Sequence, residues 1–71
     1  MKVHLIKVDY GFLKNNFTEI AVVDWDPAVI PIVGDCIRKE NLWQVVERVF
    51  VYTEDEPYVR LYLKFASKNK K

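Results

Sequence analysis

One cysteine, one histidine, two glycines and three prolines are all that this chain of 71 residues holds of those types. A single cysteine, Cys36, leaves no partner for an internal disulfide and is in keeping with a reducing cytoplasmic compartment. His4 stands without a second histidine or a neighbouring cysteine, so neither a zinc ligand set nor a nucleophile–histidine arrangement has its parts. No stretch approaches the ~20 consecutive apolar residues of a membrane span. The first seven residues, Met1-Lys2-Val3-His4-Leu5-Ile6-Lys7, interrupt their apolar content with charge too early for a secretory signal. Apolar spacing at i, i+3 and i+4 is not sustained anywhere, which excludes an amphipathic helix. The formal net charge is +1, from 11 basic and 10 acidic residues, so overall charge exerts no pull toward nucleic acid.

What the chain does contain is apolar and aromatic: 51% apolar residues, among them four tyrosines, four phenylalanines and two tryptophans. That content argues against disorder. A chain this short buries only ~60% of the surface its unfolded form exposes, so its core must be dense in large side chains or completed by a partner. Valine, isoleucine and aromatics dominate the apolar runs, and turn signals recur at Gly11, Asn15 and Asn16, Asp26-Pro27, Pro31, Gly34, Glu40-Asn41 and Pro57. Short strands at such spacing predict a small all-β domain. Five strands are expected, at about 2–10, 17–25, 35–39, 42–52 and 58–65. Residues 1–66 are read as one barrel domain and 67–71 as a basic tail.

The first hairpin is registered by placing a tight turn with positive φ at Asn15 and Asn16. This sets Val8 opposite Val23, Lys7 opposite Asp24 and Ile6 opposite Trp25, with Ile6, Val8, Tyr10, Ala21, Val23 and Trp25 on a single face. The segment 27–33 is too apolar for a solvated loop and too rich in proline for a central strand. It is expected to close one end of the core, or else to dock another protein. In the fourth strand Glu47 interrupts an apolar face, and a buried lone carboxylate is costly. A bulge or bend is expected there.

Strict alternation in the last two strands yields two sets. Trp43, Val45, Val49, Val51, Val59, Leu61, Leu63 and Phe65 form an expected core face, with Leu61 facing Val49. Arg48, Phe50, Tyr52, Tyr58, Arg60, Tyr62 and Lys64 form the opposite face, which mixes rigid aromatic area with cationic donors. Such a mixture suits interface hot spots, and it also suits base stacking and phosphate contact. From Pro57 onward there are five basic residues and no acidic one. The acidic tip Glu54-Asp55-Glu56 reads as a solvated hairpin end, and Asp24, Asp26 and Asp35 as turn and strand-end carboxylates without the loop spacing of a cation site. Cys36 reads as a small buried hydrophobe.

The strand order, with a long first loop, an irregular second, a tight third turn and a bent fourth strand, resembles the Src-homology-3-like small β-barrels. So does the pattern Pro31-x-x-Gly34-Asp35-x-Ile37 followed by Trp43-x-Val45-Val46-x-x-Val49, which is similar to many bacterial and phage-encoded barrels of that kind. The resemblance implies an all-β, five-stranded, partly open barrel and names no activity. Tyr10 and Phe12 lie in the loop where Src-homology-3 domains carry their peptide-binding aromatics, but the accompanying acidic residues are reduced to Asp9 and Glu19. The chain is therefore read as a non-enzymatic binding module with no cofactor and no metal. Its expected partner is a protein or a second copy of itself, with nucleic acid on the basic-aromatic face as the alternative.

Overall fold

The computed structural model describes residues 1–67 and is all-β. Five strands form one curled sheet, a half-barrel: β1 (Lys2–Asp9), β2 (Asn16–Asp24), β3 (Cys36–Lys39), β4 (Asn41–Val51) and β5 (Tyr58–Ser67). The spatial order is β2-β1-β5-β4-β3. Neighbours run antiparallel except β1 and β5, which pair in parallel. The remainder of the basic tail lies outside the described residues.

The concave side holds the core. Val3 and Leu5 of β1 stand beside Val59 and Leu61 of β5, and Leu63 stands opposite Val45 of β4. Val3, Leu61 and Leu63 are fully buried, and Trp43 and Ile30 complete the cluster. The Trp43 ring meets Phe65 edge-on at 5.6 Å, and its indole N–H donates to the Lys39 carbonyl at 3.2 Å. This arrangement satisfies the polar end of a buried indole while its body packs.

The register shifts at three places, one of them where Leu42 pairs with Ser67 and Trp43 with Phe65, and the other two decide which faces the side chains take. In β4 the register slips between Val45 and Glu47, so Val46 is an extra residue and Glu47 emerges exposed. The bulge expected at Glu47 is therefore present, and its consequence is larger than a bend. An inserted residue inverts the alternation beyond it. Past the bulge Arg48 pairs with Leu61 and Phe50 with Val59, while Val49 pairs with Arg60 and Val51 with Tyr58. Directly paired residues share a face. Leu61 thus faces Arg48, not Val49, and Val49 and Val51 leave the core side for the convex one.

The other of these two shifts lies in the first hairpin, where the register slips between Leu5 and Ile6 and leaves Ile20 unpaired. Val8 pairs with Phe17 and Lys2 with Asp24. The register built on a two-residue turn is overturned, because the strands are joined by the six residues 10–15 and neither Asn15 nor Asn16 has positive φ. The face is overturned with it. Val3 and Leu5 enter the core, and Ile6 and Val8 are buried on the convex side. Tyr10 lies beyond the strand and is exposed. Asp24 takes Lys2 as its partner at 3.3 Å instead of Lys7, which reaches Asp9 at 3.6 Å. The hydrogen bond and charge of Lys2 hold the Asp24 carboxyl below its ordinary range.

The segment 27–33 splits its roles. Asp26 caps a single 3₁₀ turn, Pro27–Val29, by accepting from the Ala28 N–H at 2.9 Å. Ile30 then plugs the core, while Val29, Ile32 and Val33 stay exposed. Asp35 holds the following turn by accepting from the Ile32 N–H, and Gly34 adopts φ 100°, a region that glycine enters without steric cost. Cys36 is exposed, contrary to its reading as a buried residue. It is Ile37 that turns inward from β3 and packs on the core.

The tight turn between β3 and β4 rests on Glu40 at φ 67°. A side chain in that region costs about 1–2 kcal/mol. Glu40→Gly is therefore expected to stabilise the protein by about 0.5–1 kcal/mol, the relief being partly offset by the freer unfolded chain. A thermal melt should show a rise of a few degrees. A fall would mean that the Glu40 side chain makes a stabilising contact outweighing the backbone strain.

Candidate functional site on the convex face

Parallel pairing of β1 with β5 places His4 beside Arg60 and Ile6 beside Tyr62. Antiparallel pairing of β1 with β2 adds Glu19 opposite Ile6 and Phe17 opposite Val8. Three strands thus bring a mixed set of side chains to the convex face, and they surround a shallow groove of about 360 Å³ lined by Ile6, Phe17, Glu19, Arg60 and Tyr62.

Ile6 is the apolar floor, 8% exposed although it points away from the core. The rings of Phe17 and Tyr62 meet edge-on at 5.7 Å and form a wall. Arg60 lies between Tyr58 and Tyr62, two residues from each along the same strand face. Its Nη1 donates to the Tyr62 hydroxyl at 3.4 Å and its Nη2 to the Tyr58 hydroxyl at 3.5 Å. Both distances are long for hydrogen bonds, so the guanidinium is steered by the hydroxyls and not consumed by them. Its carbon also stands 5.9 Å from the Tyr58 ring centre. These contacts, Tyr62 first and Tyr58 second, raise the Arg60 pKa further, and it is charged at every accessible pH. Among the described residues Arg60 forms no ion pair.

His4 stands next to the groove, against Glu19 and Tyr58. Its Nδ1 lies 2.8 Å from Glu19 Oε1, and its ring stacks at 40° on Tyr58 with centroids 4.5 Å apart. The carboxylate and the tyrosine orient the imidazole beside the groove.

Of the seven residues that alternation assembled on one face, Tyr58, Arg60, Tyr62 and Lys64 lie together on the convex side of β5. The β4 bulge sends Arg48 and Phe50 to the opposite side, and Tyr52 lies beyond the end of β4. Their places are taken by His4, Phe17 and Glu19, which sequence reasoning did not connect to this face. Leu5 and Ile6 stand side by side in β1, so both of its faces carry apolar residues, but no local signal names the strands that pair with it. The acidic tip is a solvated turn in which Thr53 Oγ1 accepts from the Glu56 N–H at 3.0 Å.

Among the described residues no three histidine, cysteine, aspartate or glutamate side chains stand close enough to hold a metal ion. Nor does any described helix have the length and apolarity to cross a membrane. Comparison with protein-family models, with characterised proteins and with solved structures finds no significant match.

Proposed function

We propose that the protein is a small non-enzymatic binding module that docks a protein partner on the convex groove. The observation carrying this reading is Arg60: a charged planar donor fork, preoriented by two tyrosine hydroxyls and without an ion pair among the described residues, beside an apolar floor and an aromatic wall. Arginine and tyrosine in this arrangement are the residue types that dominate interface energies. A carboxylate next to an apolar side chain on the partner would engage both parts of the groove. Nucleic acid is the second reading, because the same groups stack bases and hold phosphates. The Glu19 carboxylate on the groove wall and the net charge of +1 weigh toward protein.

We further propose that this half-barrel is related to the Src-homology-3-like small barrels, a reading supported by the loop order along the chain. The parallel β1–β5 pairing is the feature a relative would have to share. An exposed free thiol at Cys36 suits a reducing cytoplasm.

Arg60→Glu is the test. It reverses the charge of a partly buried side chain on the convex face, outside the concave core, and leaves Ile6, Phe17 and Tyr62 in place, so the fold should persist, as a thermal melt would show. Material captured by the parent protein from host extract should survive nuclease and moderate salt, and should be lost with Arg60→Glu. Loss under nuclease, with steep salt dependence, would transfer the assignment to nucleic acid. Unchanged capture by Arg60→Glu would remove the groove from the function.

A further inference from the structure

The half-barrel is not closed. β2 bonds only to β1 and β3 only to β4, so each presents one row of free backbone N–H and C=O groups. Curling of the sheet turns these two edges toward the same opening, and two grooves lie along it. One, of about 280 Å³, is lined by Leu5, Val23, Asp24, Trp25 from the β2 side and Ile37, Arg38, Lys39 from the β3 side. The other, of about 360 Å³, is lined by Lys7 and Ile20 from β1 and β2, and by Lys39, Glu40, Asn41 and Trp43 across the gap. Lys39 is common to both, so the two are parts of one seam.

From this seam we infer a second binding site, distinct from the convex groove: the free edge of β2 accepts an extended, acidic segment of a partner protein as a sixth strand. The edge is nine residues long, against four in β3, and it carries no proline. Main-chain hydrogen bonds to such an edge supply affinity, and pockets for alternate side chains supply specificity. Here the inward side chains of the added strand meet Val23, Trp25 and Ile37, which are only partly buried by the chain itself. The sign of the partner's charge follows from the rim. Arg38 and Lys39 are exposed and, among the described residues, have no carboxylate partner. Asp24 is engaged by Lys2, and Glu40 is the remaining acid lining the seam.

The probe is a nonapeptide alternating valine and glutamate, beside two controls: its valine–lysine counterpart, and the valine–glutamate peptide N-methylated at alternate amides. Titration followed by tryptophan fluorescence should show the acidic peptide binding at least about tenfold more tightly than the basic one, a difference of about 1.4 kcal/mol. N-methylation should abolish binding, since it removes the ladder donors. Amide hydrogen exchange should slow along β2. The double variant Arg38→Glu, Lys39→Glu should weaken the acidic peptide without lowering the melting temperature, whereas Arg60→Glu should leave it unchanged. Failure of the acidic peptide to bind by about 1 mM, where affinity is only ~4 kcal/mol, or equal binding of the N-methylated form, overturns the inference. So does a concentration-dependent dimer that protects β2 without peptide, which would make a second copy the occupant.

Discussion

Leu61→Ala is expected to leave the protein unfolded or barely folded at room temperature. Leu61 is fully buried at the middle of β5, with Leu5 beside it on β1 and Arg48 across from it on β4. Truncating a buried leucine costs ~2–5 kcal/mol, from lost transfer free energy and the cavity left behind. Collapse around the site is restricted here, because β5 is laddered to β1 on one side and β4 on the other, which holds Leu61 and its neighbours Leu5 and Leu63 in place. A domain of this size has a stability near the low end of the ~5–15 kcal/mol range, so the substitution removes most of it. Circular dichroism melts should show a fall of ten degrees or more, at about 4–8 °C per kcal/mol. Tyr62→Ala should be milder, yet not silent, because Tyr62 helps cover Ile6 on the convex face. A Leu61→Ala protein melting within a few degrees of the parent would disprove the core assignment.

Trp43→Ala is expected to be comparably severe, at about 3–5 kcal/mol. Trp43 joins three things: the β3–β4 turn through its hydrogen bond to the Lys39 carbonyl, β5 through its edge-on contact with Phe65, and the concave core through its buried ring. Trp43→Phe keeps most of the ring and loses the N–H donor, leaving the Lys39 carbonyl to solvent, so it should cost nearer 1–2 kcal/mol. The pair of variants, read by urea denaturation, separates packing from hydrogen bonding. Equal losses would mean that the single hydrogen bond to the turn carries the contribution.

Much of this architecture was legible in residue order. The five strands lie within one or two residues of where apolar alternation and turn residues put them, because period-two patterning and Gly, Pro and Asn punctuation are local properties of the chain. The position of the β4 bulge was legible for the same kind of reason: Glu47 breaks an apolar face, and a carboxylate must reach water. The burial of Leu61 and Leu63 followed from strict alternation on β5, a strand whose alternation is unbroken through this region.

What only the tertiary structure decided is which face each side chain takes. One inserted residue reverses the alternation of everything beyond it, so Val46 carried Arg48 and Phe50 away from Tyr58, Arg60 and Tyr62. The sequence marks where a strand is interrupted; it does not mark which residue is left out of the ladder, since that depends on the partner strand's register. In β1 the alternation itself was uninformative, because Val3, Leu5, Ile6 and Val8 are all buried. Their division between concave core and convex groove comes from β5 pairing alongside in parallel, a contact between segments more than fifty residues apart in the chain. The convex face that brings His4, Phe17 and Glu19 alongside Arg60 exists only through that pairing, and no local pattern could have announced it.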